Sequence, residues 1–252
     1  ARPELATLAR RGGADAPRGH LLLESFRLDG GVPTWRYACG GAQLEKRVWM
    51  EHGANVTRVE YALLHAAGPA RLTLKAIVDH RSHHARTAVG AFQAQVRIEG
   101  DLAEIIAFPG AAPLRIRVDG ATAEAAQDWF RGFDLPRERE RGLDDAEDHL
   151  HAATFAVTLP PGGTVQVTAS ADAPCEADPV ALGRLRAREA ELLARFAAAN
   201  PTIAPAAPGW VRQLVLAADQ FVFTRRDARG AAGQSVIAGY HWFADWGRDT
   251  MI

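Results

Sequence analysis

Residues 71–78 read "RLTLKAIV", with Leu72, Leu74, Ala76 and Val78 alternating with Arg71, Thr73, Lys75 and Ile77. A period of two puts the first set on one face of an extended chain and the second on the other, as in a half-buried strand. "LRIRVDG" (114–120) does the same, opposing Leu114, Ile116 and Val118 to Arg115 and Arg117. Outward from these, strand-length runs recur at 21–28, 42–50, 56–64, 91–98, 102–108, 153–159 and 164–170. Turn formers separate them: "DGG" (29–31), "AAGPA" (66–70), "FPGAAP" (108–113) and "PPGG" (160–163). Many short strands without interleaved long helices predict a mainly β fold, a large antiparallel β-sandwich over residues 1–177. Residues 121–152 interrupt the pattern with dense charge and a proline. They are expected to form either a long excursion or an edge strand with a protruding loop.

The period changes at Asp178. "DPVALGRLRAREAELLARFAAAN" (178–200) offers an Asp N-cap, a Pro at the first helical position and Leu182, Leu185, Leu192, Leu193 and Phe196 near one stripe. A helical linker is therefore expected over 178–202, ending in the stiff run "PTIAPAAP" (201–208). A second helix is expected over 209–223, burying Val211, Leu214, Val215, Ala218 and Val222. The switch from strands to helices marks residues 203–252 as the beginning of a further domain, and helices this few, unable to bury a core of their own, are expected to lean on the sandwich or on further material.

Bulk numbers narrow the function. The 29 basic and 30 acidic residues leave a formal charge of -1, which argues against a nucleic-acid or anionic-membrane surface. Cys39 and Cys175 lie far apart without a CxxC context, so two unpaired thiols in a reducing compartment are expected. The opening "ARPELATLARRGG" lacks an apolar signal core, and no apolar run reaches the roughly 18 residues of a membrane helix. A cytoplasmic protein is the expectation. A phosphate loop, a dinucleotide fingerprint and a GxSxG elbow are all missing from the sequence, so no cofactor is expected.

Certain stretches carry a family resemblance. "LVLAADQFVF" (214–223) and "VIAGYHWFADWGRDTMI" (236–252) resemble the domain junction of the bacterial and archaeal glycogen-debranching-type, or amylo-α-1,6-glucosidase, family. "LEKRVWMEHGANVTRVEYAL" (44–63), "LTLKAIVDHRSHHART" (72–87) and "DWFRGFDLPRERERGLDDAEDHLHAATFAVTLPPGG" (128–163) are similar to the strand domain that precedes its catalytic barrel. The resemblance implies an N-terminal β-sandwich, a helical linker and then an (α/α)6 toroid, with residues 203–252 as the toroid's first, incomplete elements. It implies hydrolysis of α-1,6-linked glucose in glycogen or branched dextrin, with the "WGRD" segment at the subsite for the terminal sugar. The catalytic acid and base would come later in the toroid, so residues 1–252 are expected to hold no catalytic residue and to be inactive alone.

The chemistry of a sugar agrees with this. A pyranose offers an apolar face for an aromatic ring and a rim of hydroxyls for hydrogen bonds. Trp242, Phe243 and Trp246 can supply the platform, Arg248 a fork of donors, Asp245 and Asp249 acceptors, and Tyr240 and His241 a border. The competing reading makes Trp242 and Trp246, four apart, a helical stripe with Arg248 in a surface ion pair. Asp245 and Asp249 as an acid/base pair are disfavoured, because such carboxyls must flank the bond from opposite sides.

Histidines cluster in "DHRSHHART" (79–87) and "DHLHA" (148–152). On a helix, His80 and His84 would be spaced as zinc ligands. Their surroundings read as a strand end and a loop, so the histidines are expected to orient Arg81 and pack between strands, with no metal. Contact of His83 and His84 with sugar or barrel is the alternative. "RERERGLDDAED" (137–148) alternates sign and reads as a solvated, salt-bridged loop. The resemblance adds the option that Arg141, Asp144, Glu147 and Asp148 border the glucan cleft or touch the toroid. A non-catalytic glucan-binding or docking module, or a related α-glycosidase with another linkage preference, stays open beside the debranching reading.

Overall fold

A computed structural model describes residues 3–11, 17–82, 84–172, 175–226, 229–239 and 243–246. The chain divides into two compact units, Ala1–Pro179 and Val180–Ile252.

The first unit is built from strands β1 (Leu23–Asp29), β2 (Val32–Cys39), β3 (Ala42–Met50), β4 (Val56–His65), β5 (Ala70–Val78), β6 (Gln95–Glu99), β7 (Leu102–Ile106), β8 (Leu114–Val118), β9 (Thr122–Asp134), β10 (Ala146–Leu159) and β11 (Thr164–Ser170). Eight of them form one antiparallel sheet in the order β1-β2-β3-β4-β11-β8-β7-β6, and β5-β10-β9 form a second. Residues paired across neighbouring strands share a face. Leu44 opposite Leu63, Val167 opposite Val118 and Ala103 opposite Ile116 therefore line the inner side of the large sheet. They close on Phe155 and Leu159 of β10 and Leu72 and Leu74 of β5 in one core. Phe155, 1% exposed, is the largest fully buried side chain among the described residues.

The outer side of the large sheet carries charge. Arg36 faces Glu45, Arg47 faces Glu60, Thr168 faces Arg117 and Glu104 faces Arg115. Glu45 is 2% exposed yet paired with Arg27, Arg36 and Arg47 at 2.8–3.1 Å. Burial is the largest single influence on its carboxyl and pushes it up, but the three guanidinium groups together outweigh it and hold it below its ordinary range.

The mainly β expectation holds, and β5 shows the expected alternation of half-buried and exposed positions throughout. Two details differ, and one open alternative is decided. Residues 32–39 form β2, which the strand pattern passed over because Pro33 and the mixed polarity of "VPTWRYAC" hide its alternation. Residues 121–152 take the second of the two expected forms: β9 is an edge strand, and residues 135–145 protrude with one short helix, α1 (Pro136–Glu140). β10 also begins at Ala146, seven residues before the apolar run. Its charged start is strand because β9 supplies ladder partners from Ala146 onward, before β5 joins at Leu150.

The second unit holds α2 (Ala181–Ala199), α3 (Gly209–Asp219) and a three-stranded antiparallel sheet, β12 (Val222–Arg226), β13 (Ala232–Gly239) and β14 (Phe243–Asp245). Helix α2 starts later than expected: Val180 is its N-cap, and Asp178 instead lies 3.8 Å from the Arg58 guanidinium. Helix α3 ends at Asp219, short of the expected residue 223, where the Asp219 carboxylate binds Arg188 of α2 at 2.7 Å. Beyond it Val222, Phe223 and Thr224, all strand formers, continue as β12. Leu214, expected on the buried stripe, is 58% exposed. Among the described residues no helix is long and apolar enough to cross a membrane.

Candidate functional site

Two groups of side chains bear on function. The first sits where β5 runs out into the long connection to β6. Asp79 and Arg81 leave β5 beside the charged start of β10. Arg81 Nη2 donates to Glu147 Oε2 at 3.1 Å, its Nε donates to Oε1, and the Thr87 amide donates to Oε1 at 3.1 Å. His149 Nδ1 lies 2.5 Å from Asp79 Oδ2, and its ring meets Phe133 edge-on with centroids 4.3 Å apart. The neighbouring Asp148 turns the other way, accepting the amides of Val89 at 2.9 Å and Gly132 at 2.8 Å. The Gly132 amide, then that of Val89, holds its carboxyl below the ordinary range. Arg86 completes the join, donating to the Ala146 carbonyl at 2.5 Å and pairing with Asp144. One loop is thus tied to the first four residues of β10 at several points.

The expected residues separate here. Glu147 is 5% exposed and braces the loop through Arg81 and the Thr87 amide. Asp144 is exposed and paired with Arg86, while Arg141 pairs with Glu138 at 3.2 Å within the protruding loop. Arg137 with Glu140, and Arg139 with Asp134 and Asp145, make that loop salt-bridged. His84 is exposed on the tip of the tied loop, and His83 lies outside the described residues. His80 packs edge-on against Phe108, and Arg81 is oriented by Glu147.

Asp79, Glu147 and His149 bring ligand atoms within 4.8 Å of one another. Most of those atoms are engaged already: Arg81 covers both Glu147 oxygens and the imidazole is bonded to Asp79 Oδ2, while Asp79 Oδ1 is buried without a hydrogen-bond partner among the described residues. A divalent cation would have to displace a guanidinium, so the group works as a charge network. The cavity beside it, lined by Val78, Asp79, Phe92 and Leu114 among others, is about 20 Å³. That is room for one water and far too little for a sugar ring.

The second group lies in the three-stranded sheet. Asp245, the last residue of β14, accepts from the Ser235 hydroxyl of β13 at 2.9 Å and from the Arg225 guanidinium of β12, both on Oδ2. The Ser235 hydrogen bond first, and then Arg225, hold the Asp245 carboxyl below its ordinary range. Trp246, which follows, is 51% exposed. Residues 243–245 are strand, so Trp246 does not belong to a helical stripe. Tyr240, His241, Trp242, Arg248 and Asp249 lie outside the described residues.

Arg225, Ser235, Asp79 and Arg86 were not singled out from sequence as site residues. Their partners lie 10 to 70 positions away, and strand pairing together with the packing of the connecting loops brings them together.

Comparison with known proteins bears on both groups. Residues 216–252 match the family described as amylo-alpha-1,6-glucosidase. A comparison with curated proteins found no match. Among solved structures, 4-alpha-glucanotransferase from Thermococcus litoralis is similar at 9% identity and a TM-score of 0.30, too slight to bear on fold or function. The alignment spans 59% of this chain and only 23% of that one. Residues 2–166 match the family described as glycogen debranching enzyme N terminal. That match takes in well over half of the 252 residues, from β1 through β10 and into the start of β11, and the chain belongs to the glycogen debranching enzyme N-terminal family.

Proposed function

We propose that the chain is the front section of an α-glucan-processing glycoside hydrolase acting on α-1,6-linked glucose in glycogen or branched dextrin. The observation that carries this reading is the order of the two family matches, debranching N-terminal over 2–166 and amylo-alpha-1,6-glucosidase over 216–252. The second match ends on "WFADWGRDTMI" (242–252), whose residue types suit a sugar subsite. In this reading residues 203–252 open an (α/α)6 toroid, which is also the sandwich's partner. Arg248 donates to the sugar rim, Asp249 accepts from a hydroxyl, and Trp242 or Trp246 stacks on the ring. Arg beside Asp favours the ionised carboxylate, an acceptor and not a proton donor. The acid that protonates the leaving oxygen and the base that activates water belong to the later toroid.

The test is release of glucose from an α-1,6-branched dextrin by full-length enzyme and by residues 1–252 alone. Full-length enzyme turns over and the segment does not. Arg248→Ala and Asp249→Ala in the full-length enzyme lower kcat/KM roughly 30-fold or more while the melting temperature holds, because each strands polar partners in a confined pocket. Wild-type kinetics in folded Arg248→Ala enzyme would sink the subsite assignment. Turnover by the segment, lost on mutating Asp245 or Asp249, would place the catalytic carboxylates here instead.

A further inference from the structure

β14 is a weak element by itself. It is three residues long, and Ile237–Asp245 and Gly239–Phe243 are its registered pairs with β13. Ladders this short specify register poorly, and a one-residue slip would turn every following side chain to the opposite face. What distinguishes β14 is the carboxylate at its end. Asp245 Oδ2 takes one donor from each of the other two strands, Ser235 Oγ from β13 and Arg225 from β12. The Asp245 side chain is 15% exposed and Ser235 is 7% exposed, whereas Arg225 is 62% exposed. The junction therefore has a part-buried acceptor with its counter-charge on the outside. Two donors fill the two lone pairs of Oδ2.

We infer that Arg225 and Ser235 are positioning residues, which through Asp245 fix the register of β14 and so the direction in which "WGRD" (246–249) leaves the sheet. This rests on the reading of that segment as a glucose subsite. It gives Asp245 a different task from the one sequence suggested: its engaged oxygen anchors the segment, and recognition of the sugar falls to the residues after it. Arg suits the outer place because it stays charged and its planar fork keeps its direction when partly solvated.

Two measurements test this, and they fail separately. The first is amide hydrogen exchange of residues 243–249 in the 252-residue chain, wild type against Arg225→Gln and Ser235→Ala. Exchange rises about tenfold in both, as expected when one hydrogen bond to a charged group is lost. Unchanged exchange overturns the inference, whatever the enzyme does. The second is kcat and KM for branched dextrin in full-length enzyme. Arg225→Gln lowers kcat/KM about tenfold at an unchanged melting temperature, Arg225→Lys recovers part of it, and Arg225→Gln/Asp245→Asn is no worse than Asp245→Asn alone. Losses that multiply in the double variant would mean that Asp245 acts on the sugar independently of Arg225, and would also overturn the inference. A wild-type enzyme that releases no glucose refutes the proposed function, while the exchange measurement still decides the positioning.

Discussion

Asp148 and Gly132 face each other across a β-bulge, with the Gly132 amide donating to Asp148 Oδ1 at 2.8 Å. β10 pairs Glu147 with Phe133 and His149 with Phe130, so Arg131 and Gly132 together oppose Asp148. The other carboxylate oxygen accepts the Val89 amide at 2.9 Å. One side chain thus fixes both a kink in the edge strand and the far end of the loop that carries His84.

Asp148→Asn replaces one acceptor by a donor aimed at an N–H group. It should cost about 1–2 kcal/mol, the charged hydrogen bonds being partly solvated, and speed amide exchange over residues 84–91. The effect depends on pH in a defined direction. Because the folded carboxyl is held below its ordinary range, its stabilisation is complete above about pH 4 and is lost as pH falls through the lowered folded value. Urea titrations of wild type and variant should therefore differ at pH 6 and differ by less near pH 3. A gap of equal size at both would show that the carboxylate charge is irrelevant.

The bulge also sets the sign of a glycine substitution. Gly132 has φ +68°, and an added Cβ would meet nothing within 4 Å, so Gly132→Ala should lose about 1–2 kcal/mol through backbone strain alone. Gly183, inside α2, has equally open surroundings and no positive φ. Gly183→Ala should stabilise by about 0.4–1 kcal/mol. Urea midpoints that move in the same direction for both variants would refute the assignment of the difference to φ.

This contrast shows what the sequence could tell. Leu72 to Val78 could be read as a half-buried strand because alternation is local, and the "PPGG" turn after β10 because turn chemistry is local. The bulge could not be read, since it depends on which residues of β9 stand opposite Asp148, 16 positions away. Glu147 was legible as charged and illegible as buried: its burial follows from Arg81, 66 residues earlier. Likewise Asp245 could be picked from its neighbours Trp246 and Arg248, but its partners could not: Arg225 sits on β12, whose start is hidden by the helical look of residues 209–223, and Ser235 sits on β13, which shows no local strand pattern. Ladder pairing overrode propensity there, as it did at the charged start of β10.

Glu45 offers a test of the buried charge on the outer side of the large sheet. Its carboxylate is 2% exposed and receives Arg27, Arg36 and Arg47, which are themselves 31–43% exposed. Glu45→Ala leaves three guanidinium groups facing one another without their shared acceptor, and should destabilise by about 2–4 kcal/mol, somewhat below a fully buried pair. Glu60→Ala removes only the 3.3 Å contact of a half-exposed acid with Arg47 and should cost about 1 kcal/mol or less. Chemical denaturation of the two variants decides it. Equal, small losses would mean that solvent already screens the Glu45 cluster.

Glu147→Gln separates a structural from a glucan-binding role at the tied loop. The Glu147 carboxylate is buried, covered on both oxygens by Arg81 and bonded by the Thr87 amide. A glutamine keeps the shape but turns an NH2 group toward the guanidinium, so one donor faces another and Arg81 loses its counter-charge. The expected cost is about 2–3 kcal/mol, equivalent to a fall in melting temperature of roughly 5–10 °C for a unit of this size. Geometry makes a further demand: with both oxygens engaged and the residue 5% exposed, a sugar hydroxyl would have to displace Arg81 to reach the carboxylate. Full-length Glu147→Gln enzyme, assayed well below its melting temperature, should therefore keep the wild-type KM for branched dextrin per folded molecule. Arg81→Ala should act on stability through the same contact, so the Arg81→Ala/Glu147→Gln double variant should lose less stability than the two single losses added together. A KM raised tenfold at unchanged melting temperature would instead place Glu147 at the cleft, and the loop would have to open to expose it.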